Sequence, residues 1–151
     1  EIDRAIKNMK LQDKYTVLFL GLIDTDKMTM RYINASMSDP FVLSRAPDGY
    51  KVKALASNAS LVGIIDLGDI TVEERRLYRG DMILIASDGL SEIMDSNGIQ
   101  FGSSDVFQET LRTSADKMPE EFINDIVRLI PEYNGGARLH DDVTMMAVKV
   151  G

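Results

Sequence analysis

The apolar residues of this chain change their spacing once and then change back, and that order constrains the fold more than any single motif. They come first in short runs: Tyr15 to Ile23, Met28 to Ala35, Phe41 to Arg45, Tyr50 to Leu55, Ile70 to Leu77 and Met82 to Ala86. Runs of this length, broken by polar turns, predict strands. Asp48-Gly49, between the third and fourth runs, predicts a hairpin. The nearly continuous run Tyr15 to Ile23 predicts a buried strand, and Asp24-Thr25-Asp26-Lys27 the turn to its partner. The segment Ala56 to Asp69, with Gly63 and Gly68, predicts a mobile loop.

From Ser104 the spacing is helical. Ser104 is placed to cap a helix carrying Val106, Phe107, Thr110, Leu111 and Ala115 on one side. Pro119-Glu120-Glu121 opens another, because a proline in the first turn loses no hydrogen bond and glutamates favour the positive end of the dipole. Its buried stripe is Phe122, Ile123, Ile126, Val127 and Ile130. Leu90 to Met94 predicts a short helix, and Glu1 to Leu11 has Ile2, Ala5, Ile6 and Met9 at helical spacing. After Asn134-Gly135-Gly136 the run Val143 to Val148 is a strand again. Strands, then helices, then one closing strand describe an α+β fold.

Composition narrows the function classes. At 151 residues, one domain over residues 1–151 is expected. The absence of cysteine excludes disulfides, thiolate metal sites and thiol nucleophiles. A net charge of -7 with no basic stripe argues against nucleic-acid binding. No run has the length of a membrane span and no signal peptide opens the chain, so a cytoplasmic setting is expected.

Two acidic motifs stand at the ends of apolar runs. Ser87-Asp88-Gly89 follows Met82 to Ala86, and Asp141-Asp142 precedes Val143 to Val148. Carboxylates at strand ends are rigidly held at the mouth of a sheet and suit hard cations such as Mg²⁺ or Mn²⁺. Read singly, each motif is more simply a polar turn. Asp24 and Asp26 resemble the start of a calcium loop but lack its glycine and distal glutamate. His140, the single histidine, reads as a solvent-facing loop residue. Met28, Met30, Met82, Met145 and Met146 read as core filling, and Glu73-Glu74-Arg75-Arg76 as a solvated strand face. Asp66 and Asp69 lie in the expected loop, and nothing in their spacing requires them at a metal.

Seven motifs occur in order: Val17-Leu18-Phe19-Leu20-Gly21, Met30-Arg31-Tyr32-Ile33-Asn34-Ala35, Leu61-Val62-Gly63-Ile64, Arg79-Gly80-Asp81-Met82, Ser87-Asp88-Gly89-Leu90-Ser91-Glu92, Phe101-Gly102 and Asp141-Asp142-Val143-Thr144. The ordered set resembles the bacterial stage II sporulation E-like branch of metal-dependent (type 2C) protein serine/threonine phosphatases. The resemblance implies a β-sandwich flanked by helices, an α/β/β/α arrangement, with two Mn²⁺ or Mg²⁺ ions at one end. It implies Asp88 and Asp141 as metal ligands, Asp142 beside them in a supporting position, and Gly89 permitting close backbone approach to the ion. It also implies a phosphoprotein substrate of the anti-sigma-factor-antagonist type.

The sequence departs from that family at its front. The Gly-Asp and Asp-x-Ser-Gly-His-Gly motifs, which supply the carboxylate shared by the two metals, do not occur. The expectation is therefore an incomplete domain lacking its N-terminal strands, a truncation being favoured over natural loss. A two-metal site needs a bridging anion between like charges about 3.5–4 Å apart, so this chain alone is expected to have little or no phosphatase activity. Ser36-Met37 stands where Gly-His is usual, and Val17 where threonine is common. Strands left without partners also suggest self-association. Two readings follow: an incomplete phosphoserine/phosphothreonine phosphatase, or a phosphatase-like module that binds a regulatory partner without turnover.

Overall fold

Asp24 makes the first chain reversal. Its Oδ1 accepts the backbone N–H groups of Asp26 and Lys27 at 3.1 and 2.9 Å, closing the turn between β1 (Leu18–Asp24) and β2 (Thr29–Ala35). The computed structural model describes residues 15–63 and 70–151, so the helix expected over residues 1–11, and Asp66 and Asp69, lie outside the described residues. Contacts divide the chain into two compact units: the described residues up to Asp39 with Ala56–Leu77, and Pro40–Leu55 with Tyr78–Gly151.

In the first unit β2 lies between β1 and β5 (Glu73–Arg76), antiparallel to both. Met30, Tyr32 and Asn34 alternate along β2 and are buried. Tyr32 stacks on Phe19 with ring centroids 5.8 Å apart and donates its hydroxyl to Glu73 Oε2 at 2.8 Å. Of the expected solvated face, Glu74 and Arg76 are exposed and Glu73 and Arg75 half-buried, and β5 is shorter than the run Ile70 to Leu77.

The expectation of a buried strand at Tyr15 to Ile23 is corrected. Among the described residues β1 lies at the edge of its sheet, and Leu20 and Leu22 are 54 % and 59 % exposed. An unbroken apolar run signals two apolar faces, but it does not supply the elements that cover them. The first part of the expected mobile loop is tied down instead. The Asn34 N–H donates to Asn58 Oδ1 at 2.7 Å, and the Asn34 carbonyl accepts the N–H groups of Asn58 and Ala59 at 3.0 and 3.1 Å. Ser36 has φ 59°, a left-handed conformation. The backbone thus adopts the shape that glycine, usual in the family here, takes without cost.

In the second unit the sheet order is β4-β3-β6-β7, all pairs antiparallel, from β3 (Phe41–Ala46), β4 (Gly49–Ala54), β6 (Met82–Ala86) and β7 (Met145–Lys149). The β3–β4 hairpin closes with Ala46 opposite Gly49, whose φ of 113° explains why glycine follows Asp48. β6, paired on both sides, buries Met82, Ile83 and Leu84. Of the methionines expected in the core, Met146 is instead 52 % exposed.

Three helices belong to this unit: α1 (Asp88–Ser91), α2 (Asp105–Ser114) and α3 (Pro119–Tyr133). α1 begins two residues before the expected Leu90 to Met94 segment. Ser104 caps α2, its Oγ accepting the Phe107 N–H at 3.2 Å, a contact worth about 1 kcal/mol. Pro119 occupies the first turn of α3 as expected. α2 packs against β4 and α3 against β7. Their buried stripes are narrower than the sequence suggests: Phe107, Leu111 and Ala115, and Phe122 and Ile126, are buried, whereas Val106 and Val127 are 48 % and 45 % exposed. Neighbouring positions are turned about 100° around the helix, so those two valines face away from the sheet.

Asp81 ends the Arg79-Gly80-Asp81 turn, and its carboxyl is buried. Its Oδ2 accepts the Tyr78 N–H at 2.9 Å. Burial holds the carboxyl above its ordinary pKa of 3.8, against the opposing pull of that hydrogen bond, one from the Ser44 side chain and the charge of Lys149. Such a group keeps its proton longer in the folded than in the unfolded chain. It therefore favours folding at low pH, and the contribution declines as pH rises through 3.8 and is gone above the folded-state value. The unfolding free energy of the wild type minus that of Asp81→Asn should fall across this window in urea titrations. A difference that rises with pH would contradict the burial effect.

Candidate metal centre

The candidate ligands all lie in the second unit, where β6 and β7 end side by side with Ala86 opposite Met145. Ser87 clamps the two chain segments just beyond that pair. Its N–H donates to the Thr144 carbonyl at 2.9 Å, its Oγ accepts the Thr144 N–H at 3.0 Å, and the same Oγ donates to the Asp142 carbonyl at 3.1 Å. Residues 88 and 141, remote in sequence, are thereby brought to one rim of the sheet.

Gly89 measures how close that approach is. A Cβ at this position would lie 2.4 Å from the Asp142 carbonyl oxygen, 3.0 Å from its carbon and 3.5 Å from the Asp141 carbonyl carbon. No side chain fits there, so the need for glycine is a steric one between two backbones.

Asp88, Asp141 and Asp142 are exposed. Asp88 Oδ1 accepts the Gly89 N–H at 2.9 Å, and Asp141 Oδ1 accepts the Asp142 N–H at 2.7 Å. Each of these carboxylates is oriented through one oxygen, and the other has no hydrogen bond among the described residues. The structure engages the main chain of Asp142, at Gly89 and at Ser87. His140 is exposed beside Asp141, in keeping with a solvent-facing loop residue.

The donor set fits a hard divalent cation, since it is all oxygen and anionic, with Asp88 at the start of α1 and Asp141 in the loop before β7. Among the described residues no group of three or more His, Asp or Glu side chains could hold a metal ion. Two carboxylates leave most of a cation's coordination positions to water, so the fit is to a weakly held, largely hydrated ion. Beside the rim a cleft of about 250 Å³ runs between Glu92–Met94 and the loop from Asn134 to Asp141. Neither the Ser87 clamp nor this cleft is legible in the sequence, because both depend on contacts between segments about fifty residues apart.

The sequence matches the family described as Stage II sporulation protein E (SpoIIE) over residues 1–151. Protein IcfG of Synechocystis is 29% identical over 136 residues, covering 89% of this chain and 20% of that protein. The phosphoserine phosphatase RsbU of Bacillus subtilis is 22% identical over 150 residues, covering 98% of this chain and 43% of that protein. The chain thus spans less than half the length of either relative. The solved SiaA-PP2C domain of Pseudomonas aeruginosa superposes with a TM-score of 0.80 at 23% identity, covering 97% of this chain and 57% of that one. Its likeness bears out the type 2C phosphatase-like α+β fold expected from the sequence. Among the described residues no helix is long and apolar enough to cross a membrane.

Proposed function

The chain belongs to the stage II sporulation protein E (SpoIIE) family of PP2C-type phosphatases, and from that membership we propose that Asp88 and Asp141 serve a Mn²⁺- or Mg²⁺-dependent protein phosphatase. The substrate is phosphoserine or phosphothreonine on a regulatory protein of the anti-sigma-factor-antagonist type, by kinship with RsbU. The observation that carries the site is the contact of Gly89 with the Asp142 carbonyl, which brings the two acidic motifs to one rim.

When bound, the metal supplies a water of lowered pKa and neutralises phosphoryl charge. The chain's own residues do the rest. Asp88 and Asp141 offer their second carboxylate oxygens to the cation, and Ser87 keeps the two segments in register through the Asp142 carbonyl and the Thr144 N–H; the Asp142 side chain has the supporting role. With only two such carboxylates among the described residues, this chain alone turns substrate over slowly if at all.

The full-length protein should hydrolyse a phosphoserine peptide with Mn²⁺. Changing a residue that only hydrogen-bonds a metal's ligand already costs a metal site about 10- to 100-fold, so Asp88→Asn and Asp141→Asn should each lose about 100-fold or more. Turnover that survives both substitutions contradicts the assignment. The second reading, a partner-binding module without turnover, is favoured by the lack of a third acidic ligand among the described residues. Full-length protein that binds the peptide but never hydrolyses it would select that reading. The exposed edge strand β1, with Leu20 and Leu22 in water, supports self-association by strand addition.

A further inference from the structure

We propose that the cleft beside Asp141 reads the phosphoprotein around its phosphorylated residue: the Arg138 guanidinium takes the phosphoryl group, and an apolar neighbouring side chain enters between Ile93, Met94 and Leu139. The proposal rests on the phosphatase reading and names the substrate feature that the site selects.

The loop that carries Arg138 is anchored at both ends. After α3 the Gly136 N–H donates to the Pro131 carbonyl at 2.9 Å, and the Asn134 side chain bonds the Ala137 carbonyl at 2.8 Å. Four residues beyond Arg138, the Asp142 carbonyl is held by Ser87 Oγ at 3.1 Å. Arg138 is therefore set between two fixed points, on the wall that leads to Asp141. It is exposed and forms no ion pair among the described residues. It also lines a second depression, which runs along residues 138–143 past both Asp141 and Asp142.

Charge explains why such a residue is needed. The chain carries a net charge of -7 and the rim itself is acidic, so its field opposes an approaching phosphate dianion. Among the described residues Arg138 is the one arginine or lysine lining the cleft, and a guanidinium matches phosphoryl oxygens bidentately. Beside the polar Glu92, Asn134, His140 and Asp141, the wall carries apolar side chains that folding does not require there. Met94 and Leu139 remain 53 % and 37 % exposed although they line a concavity that opens on the rim. Apolar surface left in water inside a cleft fits an apolar side chain. A phosphorylated segment with an apolar residue beside the phosphoserine meets both features at once.

The test uses the full-length protein in EDTA and two fluorescein-labelled phosphoserine peptides. They differ only in carrying leucine or aspartate next to the phosphoserine, and binding is read by anisotropy. The leucine peptide should bind about tenfold more tightly. Arg138→Ala should weaken both peptides about tenfold, and Arg138→Lys should recover part of the loss by keeping the charge without the fork. Leu139→Asp, at an exposed position that folding tolerates, should remove the preference for leucine while Arg138 still matters. Equal affinity for the two peptides, no measurable binding, or a Kd that Arg138→Ala leaves unchanged overturns the proposal. Hydrolysis with Mn²⁺ by the same protein reports separately. Peptides bound with this preference but never cleaved refute the phosphatase reading alone, and cleavage indifferent to residue 138 and to the neighbouring residue refutes the cleft alone.

Discussion

Gly89→Ala should lower the unfolding free energy by about 3 kcal/mol, in the upper range for overpacking a tight site. For a chain of 151 residues that is a fall in Tm of roughly 6–12 °C. The added Cβ would sit 2.4 Å from the Asp142 carbonyl oxygen, and backbone cannot rotate out of the way as a flexible side chain can. Neither side is free to yield. Gly89 follows β6 by three residues at the start of α1, and the Asp142 carbonyl is held by Ser87 Oγ. Gly98→Ala is the matched control, because its Cβ would meet nothing within 4 Å and its φ of 77° makes conformational strain the only cost, about 1–2 kcal/mol. Thermal unfolding of the two variants side by side decides the matter. If Gly89→Ala costs no more than Gly98→Ala, the acidic motifs do not approach as described.

Phe101→Ala should cost about 3–5 kcal/mol, the range for removing a fully buried aromatic ring. Phe101 has no exposed surface, and its ring lies 4.9 Å from those of both Phe107 and Tyr133. It thereby joins the 3-10 turn Phe101–Ser103 to α2 on one side and to the end of α3 on the other. Its N–H also donates to the Ile93 carbonyl at 2.7 Å, so the same residue braces the wall of the cleft. Phe101→Leu keeps most of the buried area and should cost distinctly less. Urea unfolding midpoints measure both. A loss below about 1 kcal/mol for alanine would mean that this aromatic cluster does not hold the helices to the sheet.

What the sequence made legible was local. Asp24 predicted its turn because its carboxylate bonds the N–H groups two and three residues on. Ser104 and Pro119 predicted helix starts because capping is decided within one turn. The Asp48-Gly49 hairpin formed for the same reason. Features that depend on neighbours in space were hidden. The apolar run of β1 could not reveal that it would lie at a sheet edge, nor the Val106 and Val127 spacing that those side chains would face solvent. Nothing in Arg79-Gly80-Asp81 announces that the Asp81 carboxyl will be buried. Asp88 and Asp141 were identifiable as a pair only through the family resemblance. The pairing of β6 with β7, which joins them, is written in neither run alone. Ser87 supplies the clamp, yet its position before Asp88-Gly89 looks like any polar strand end.

The metal centre proposed for this chain requires Asp88 and Asp141 to share one cation. Titration with Mn²⁺, followed by the electron paramagnetic resonance signal of the free ion, tests this without any need for turnover. The wild-type chain should bind Mn²⁺ weakly, with millimolar or poorer affinity. Asp88→Asn and Asp141→Asn should each weaken binding about tenfold or more, while the exposed turn residue Asp26, changed to Asn, should leave it as it was. Wild-type affinity in both the Asp88 and the Asp141 variants would show that the rim does not hold the ion.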